Sequence, residues 1–269
     1  MYDYDESALG SYIKINGVNF QVIGTYRKKS GGGGNSEEDQ MKLKLVPCKR
    51  GGEAMLMEEK IIEKKDGLII LAGGKASRMG FVDKPLLPLH GYPIINWIID
   101  KTKHQVDTLA LSVNRNQAAY GYLNLPIIAD VESASPGPLV GIVSAMKYFI
   151  SAEAPQRTSY LACFPADVPY FPENLTELLA HEIVANDADV AFCQNCDQIQ
   201  PLFSLWSYST LPRLEEALKN GLYGPKQVFP LLNSVAFKVY SADPALFLNI
   251  NSKADLVTAE KLINPLISC

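Results

Sequence analysis

From Gly67 onward the chain alternates two kinds of segment, and that rhythm restricts its possible folds more than any other feature. Short runs that are apolar almost throughout, GLIILA, TLALSV, SYLACF and ADVAFC, are separated by longer stretches with helical spacing. Those stretches are IINWIIDKT, LVGIVSAMKYFI, NLTELLAHEIVA, LPRLEEALKN and KADLVTAEKLI, while PIIAD, LFSLWS and SVAFKV supply further strand-like runs. A strand with one apolar face covers a core on one side only; a strand apolar on both faces must be buried on both. Strand and helix in alternation then predict an α/β fold, a three-layer, mostly parallel, Rossmann-like sheet with helices on both faces. Ligands of such sheets bind beyond the carboxyl ends of the strands, so the post-strand loops are where chemistry is to be sought.

Residues 1–66 have a different texture. YIKINGVNFQVIGTY alternates apolar and polar positions around Asn16-Gly17, a strong hairpin signal. SGGGGNSEEDQ (Ser30 to Gln40) reads as a flexible linker, and the good helix formers of Met55 to Lys65 predict a short helix. The expected division is a small, partly disordered β appendage with a Gly-rich linker over 1–66 and one large α/β domain over 67–269.

Composition excludes several classes of function. With 25 Lys plus Arg against 29 Asp plus Glu the net charge is −4, a poor balance for gripping nucleic acid through counterion release. The opening MYDYDESALG is acidic where a secretory leader is basic and then apolar, and no run approaches the ~20 apolar residues needed to span a bilayer. The expectation is a cytoplasmic chain with neither nucleic acid nor membrane as partner. Its five cysteines, an odd number in a chain too long to need staples, read as free thiols. Cys193 and Cys196 form a CxxC, but no second pair has ligand spacing and His90, His104 and His181 are scattered, which favours a structural role over a zinc or redox site.

The loop after GLIILA carries the most chemistry. In LAGGKASRMGFVDK (Leu71 to Lys84), Gly73 and Gly74 let backbone N–H groups approach an anion, and Lys75, Arg78 and Lys84 add three cations. It is neither a Walker A sequence nor the three-glycine dinucleotide fingerprint, which disfavours a dehydrogenase. A bare Gly-Gly after a strand is often only a tight turn; with Arg and Lys at these offsets it reads as a triphosphate cradle. Asp167, in FPADVPYFP at the end of SYLACF, is well placed to hold Mg²⁺ against a triphosphate, although an Asp beside prolines is also an ordinary turn residue. Asn114 closes TLALSV and Asp130 closes PIIAD; each alone reads as a turn residue, yet all these loops fall at one edge of one sheet. SPGPLVG (Ser135 to Gly141) reads as a rigid turn into a helix whose N-terminus could meet phosphate.

In order and spacing, LAGG…RMG…DK, NRNQ (Asn114 to Gln117), IIAD (Ile127 to Asp130), PGPLVG (Pro136 to Gly141), PADVPYFP (Pro165 to Pro172) and NINSKADL (Asn249 to Leu256) closely resemble the bacterial molybdenum cofactor guanylyltransferases. The first block alone marks the wider nucleotidyltransferase superfamily; the set is specific to the family and runs from about Gly67 to Ile263. Residues 1–40, by contrast, resemble a fragment of the extracytoplasmic domain of macrolide-exporter-type ABC permeases, which without its membrane helices would be an appendage without function.

The resemblance implies a nucleotidyltransferase that transfers GMP from GTP to the terminal phosphate of molybdopterin and releases pyrophosphate. Leu71, Ala72, Gly73, Gly74 and Lys84 would bind GTP with Arg78 near the triphosphate, Asn114 and Asp130 would hold the guanosine part, and Asp167 would contact GTP and coordinate Mg²⁺. Asn249 and Asn251 would lie near the metal or the second substrate, and LAGG rather than the LAAG of related cytidylyltransferases favours guanine. Arg78, Lys84 and Asp167 are thus the expected catalytic residues, GTP and molybdopterin the substrates, and molybdopterin-delivering proteins and molybdoenzymes the expected protein partners. Two departures concern the pterin side: Gln200 stands where a His is frequent, and Lys226 is the only charge where a basic pair is frequent. The competing readings are a relative using CTP or a sugar-phosphate acceptor, and a catalytically idle GTP-binding partner of molybdoenzymes.

Overall fold

In the computed structural model, which describes residues 2–3, 12–15, 18–28, 41–47, 66–72, 83–130, 137–151 and 160–263, the alternating rhythm becomes a seven-stranded sheet. The chain divides into two compact units, Met1–Ile61 and Ile62–Cys269.

The first unit is an antiparallel sheet of β1 (Tyr2–Asp3), β2 (Tyr12–Ile15), β3 (Val18–Lys28) and β4 (Met41–Pro47), in which β3 pairs with the other three. Ile15 faces Val18 across β2 and β3, the register that a two-residue Asn16-Gly17 connection dictates. The helix expected over Met55 to Lys65 lies outside the described residues.

The second unit runs β5 (Asp66–Leu71), β6 (Pro88–Leu89), β7 (Tyr92–Pro93), α1 (Ile94–Thr102), β8 (Thr108–Ser112), β9 (Ile127–Ile128), α2 (Pro138–Ile150) and β10 (Tyr160–Pro165). It continues with α3 (Leu175–Asn186), β11 (Val190–Asn195), β12 (Gln198–Ser207), α4 (Leu211–Lys219), the single turn α5 (Pro225–Val228), β13 (Ser234–Val239) and α6 (Lys253–Leu262). β6 and β7 form a small ladder of their own; the other seven strands make one sheet in the order β13-β11-β12-β10-β5-β8-β9. All its pairings are parallel except those of β12, which runs against both β10 and β11.

Period-two alternation sorts the strand side chains into two cores. Leu68, Ile70, Leu109, Leu111, Ala162 and Phe164 pack on one face with α1, α3 and α6 residues such as Ile95, Leu179 and Ala259. Ile69, Ala110, Leu161, Cys163 and Trp206 pack on the other with α2 and α4 residues such as Ile142, Met146 and Leu214. Burial on both faces is why these strands need no polar positions. From β5 the chain crosses to β8 over one face through α1, and from β9 it crosses back to β10 over the other through α2. The order therefore reverses between β5 and β10, and a crevice opens beyond their carboxyl ends.

β12 arises from a hairpin that the sequence hides. Asn195 pairs with Gln198, so Cys196 and Asp197 form the turn, with Cys196 at φ 51°. Cys193 is buried in the strand and Cys196 is exposed at the turn, both as free thiols. That separates the two sulfurs of the CxxC. Burial in apolar surroundings pushes the Cys193 thiol up to about 12.

Candidate active site

Leu71 ends β5, and the next residue continues the sheet: the Ala72 amide donates to the Ser112 carbonyl at 3.0 Å, and the Ala166 amide donates to the Leu71 carbonyl at 3.1 Å. Three neighbouring strand ends are thus stitched together where the crevice opens. Leu71, Ser112, Asn114, Asp130, Gly141 and Asp167 all line it. Of the expected residues, Leu71, Asn114, Asp130 and Asp167 are brought together here, with Lys84 and Asn251 linked to one another beside Asp167. Gly73, Gly74 and Arg78 lie outside the described residues.

At one end Asn114 and Asp130 interlock. The Asn114 side-chain amide donates to Asp130 Oδ2 at 2.6 Å, and the Asp130 backbone amide donates to Asn114 Oδ1 at 2.8 Å. This reciprocal pair ties the end of β8 to the residue two beyond β9 and leaves the Asp130 carboxyl no freedom to rotate. Its other oxygen, Oδ1, is buried with no hydrogen-bond partner among the described residues. Burial pushes the carboxyl up from its ordinary value, against the Asn114 amide and the Ser112 hydroxyl, which favour the ionised form. A buried acceptor without a donor is costly unless a ligand supplies one.

Gly141, in α2, keeps the space beside that oxygen open. A Cβ there would sit 2.9 Å from Leu71 Cδ2 and 3.4 Å from Asp130 Oδ1. The N-terminus of α2 borders the same space, and Gly137 just before it has φ 153°, with Tyr223 packed where a Cβ would go. The Leu139 amide is used by the Tyr223 carbonyl at 3.0 Å, fixing the direction from which the helix enters. Leu202 forms the wall on the far side of the crevice. It reaches there through a bulge: Phe192 faces Ser204 while Cys193 faces Gln200, so residues 201–203 leave the ladder, at a proline that has no N–H to offer it.

At the other end stands Asp167, half-buried. Desolvation pushes its carboxyl up, and the nearby Lys84 ammonium opposes this. Its backbone is held rather than its side chain: the Ile250 amide donates to the Asp167 carbonyl at 2.9 Å, and the Phe247 amide donates to the Tyr170 carbonyl at 2.9 Å. Beneath this double strap Phe164, Phe171, Phe203 and Phe247 pack with successive ring centroids 5.1 Å apart. Ile250 is buried, and Asn249 and Asn251 flank it in exposed positions. Asn251 Oδ1 accepts from Lys84 Nζ at 2.8 Å. The Asn251 amide donates to Asp255 Oδ2 at 2.9 Å, and the Ser252 side chain caps α6 by accepting from the Asp255 amide. The Ser252 hydroxyl holds the Asp255 carboxyl below its ordinary value.

Several contributors escaped the sequence reading. Ser112 and Leu202 line the crevice, and Asp83 accepts from Asn116 Nδ2 at 2.9 Å. Asp83 and Asn116 lay inside the blocks DK and NRNQ; their signal was proximity to Lys84 and Asn114. Gln200 and Lys226, the two departures, sit beside the bulge in β12 and in α5 respectively.

A mostly parallel sheet whose order reverses beside β5, with carboxylates beyond two strand ends and a lysine near one of them, suits an enzyme that handles a nucleoside triphosphate, such as a nucleotidyltransferase. Residues 68–234 match the family described as MobA-like NTP transferase domain, and the chain belongs to that family. It is similar to the molybdenum cofactor guanylyltransferase of Serratia proteamaculans, 32% identical over 189 residues that cover 70% of this chain and 90% of that protein. It is similar also to the protein of that name from Shewanella putrefaciens, 34% identical over 189 residues that cover 68% and 90%. Among solved structures, molybdopterin-guanine dinucleotide biosynthesis protein A from Archaeoglobus fulgidus superposes with a TM-score of 0.59 at 22% identity, over 72% of this chain and 97% of that one. This last likeness is one of fold. No described helix is long and apolar enough to cross a membrane.

Proposed function

We propose that this chain transfers GMP from GTP to the terminal phosphate of molybdopterin, forming the guanine dinucleotide form of the molybdenum cofactor and releasing pyrophosphate. One observation carries the nucleotide half of this reading: Asp130 is immobilised by Asn114 with Oδ1 buried and unpaired in the crevice. The fixed Oδ1 is open to an N–H donor of the base, and guanine offers N1–H and N2–H side by side for it to accept from. The acceptor half rests on the names of the relatives and on the shared length.

An oxygen of the terminal pterin phosphate attacks the α-phosphorus of GTP. The new P–O bond forms as the bond from the α-phosphorus to the bridging oxygen breaks, and that electron pair leaves with pyrophosphate. The attacking phosphate is already anionic near neutral pH, so no strong general base is required. The protein must instead hold two polyanions in line and offset the charge that builds on the leaving group. Asp130 fixes the base, Asn114 fixes Asp130, and Lys84 supplies a cation on the phosphate side, with Arg78 and the backbone of Gly73 and Gly74 assigned to the same task.

Asp167 would hold Mg²⁺, which supplies Lewis-acid stabilisation of the phosphoryl oxygens when bound. The donor set fits: Asp167 offers a hard oxygen ligand on a firmly held backbone. Mg²⁺ commonly takes one or two carboxylates and completes its shell with phosphate and water. Asn249 and Asn251 are assigned to the metal-proximal or second-substrate side. A reaction drawing on GTP is expected in the cytoplasm, with molybdopterin-delivering proteins and molybdoenzymes on either side of it, and residues 1–66 are taken as an appendage without a part in turnover.

The test is pyrophosphate release with GTP, CTP and ATP, each with molybdopterin, with a sugar phosphate and with no acceptor, together with calorimetric GTP binding. Release that needs both GTP and molybdopterin supports the reading. Release with CTP or with a sugar phosphate acceptor instead, or GTP binding without release, overturns it.

A further inference from the structure

We propose that Asn116 is a positioning residue for Lys84, acting through Asp83: its side-chain amide holds the Asp83 carboxylate so that the adjacent lysine stays aimed toward Asp167 and does not turn to Asp83. The inference rests on the guanylyl-transfer reading and adds two residues to it.

The reasoning begins with what a lysine needs. Its ammonium is a point charge on a flexible stem, and its value to a developing phosphate charge depends on where it is held and on whether another anion already occupies it. Lys84 opens a 3₁₀ turn, with the Leu86 amide donating to the Asp83 carbonyl and the Leu87 amide to the Lys84 carbonyl, both at 3.0 Å, and Pro85 stiffening the turn. Its immediate neighbour in the chain is an aspartate. A free Asp83 would be the nearest counter-ion by sequence, yet Asp83 makes no ion pair among the described residues; its Oδ2 accepts from Asn116 Nδ2 at 2.9 Å. A neutral amide satisfies a carboxylate without cancelling the charge of the lysine beside it. On its far side Lys84 is likewise oriented by a neutral group, Asn251 Oδ1 at 2.8 Å. Lys84 is thus held directly by the Asn251 amide, while Asn116 holds the aspartate next to it, and the carboxylates that act on its charge are those of Asp167 and Asp255.

The placement of Asn116 has the marks of a dedicated geometry. It stands in the left-handed region, at φ 49° and ψ 36°, a conformation that asparagine tolerates better than most residues. Two residues earlier in the same loop, Asn114 clamps Asp130. One three-residue turn after β8 therefore sends one amide to the base end of the crevice and another to the segment bearing Lys84. It sets the spacing between the two.

The experiment uses the full chain, with kcat and KM for GTP from pyrophosphate release in the presence of molybdopterin, and a thermal melt for each variant. Asn116→Gly keeps the left-handed backbone and removes the amide. Asn116→Asp sets one carboxylate against another, and the double variant Asp83→Asn/Asn116→Asp restores the bond with donor and acceptor exchanged. We expect Asn116→Gly to lose about tenfold in kcat with KM for GTP changed about twofold or less, and with its melting temperature close to wild type. Asn116→Asp should lose more, and the double variant should return to within about threefold of wild type, the non-additivity that marks a direct pair. Asn116→Gly with wild-type kcat overturns the proposal, as does a double variant no better than Asn116→Asp, or a loss that merely follows a lowered melting temperature. A wild-type chain that releases no pyrophosphate overturns the underlying reading instead, so the two failures are told apart.

Discussion

The two ends of the crevice are held by different means. At the base end, side chain grips side chain: Asn114 and Asp130 exchange two hydrogen bonds across adjacent strand ends, and a single oxygen is left over. At the phosphate end the backbone is gripped, through the Ile250 and Phe247 amides and the rings beneath, while the charged groups Asp167 and Lys84 stand close enough to act on one another. A recognition group gains from having every atom but one committed, because its selectivity lies in the one left unpaired. A group that must meet charge as it develops gains from a rigid mount that fixes where its charge stands. Substitutions at the base end should therefore read out in binding, and those at the phosphate end in turnover.

That contrast can be broken experimentally. The largest effect expected is from Asp167→Ala and Lys84→Ala, each lowering kcat by about a thousandfold or more in a folded protein; rates near wild type from either would remove the phosphate end from the chemistry. Next, Asp130→Asn exchanges one carboxylate oxygen for an NH₂ donor and removes the negative charge, and kcat/KM for GTP should fall about a hundredfold, mainly through KM. A loss carried by kcat alone would erase the distinction between the ends. Asn114→Ala should cost about tenfold in the same parameter, since it frees Asp130 to rotate without deleting it. The smallest effect is on stability. Burial raises the Asp167 carboxyl above its ordinary 3.8, so at neutral pH the ionised side chain costs the folded state something that Asp167→Asn does not. The variant should melt higher than wild type at pH 7. Its advantage should shrink as pH falls through the folded-state value and vanish below about 3.8, where the acid is protonated in folded and unfolded chains alike. Melts of both proteins across that range, without Mg²⁺, check the sign.

Much of this was legible in the sequence, for physical reasons that also mark the limits. GLIILA and TLALSV are apolar on both faces, and that alone required helices above and below them. Asn114, Asp130 and Asp167 each follow such a run, and the fold rule that ligands gather at strand ends brought them to one crevice. The reversed strand β12 was not foreseen, because its turn is Cys196-Asp197 and the hairpin signal looked for is Asn-Gly or Asp-Gly. Leu202 was missed for a related reason: a bulge changes which way a side chain faces, and periodicity carries no sign of it. Asp83 and Asn116 were invisible as a pair because 33 positions separate them, and only the return of the chain along β8 brings them together.

The aromatic layer under Asp167 has a consequence for how the molecule breathes. Four interlocking rings drawn from β10, β12 and the segments that follow β10 and β13 leave the carboxylate's mount no hinge of its own. Regions so anchored open only with the surrounding core, and their amides are the slowest to exchange with solvent. The Ile250 and Phe247 N–H groups should then report on unfolding of the whole second unit rather than on any local fluctuation. Any gating of the crevice during turnover has to come from elsewhere in the molecule.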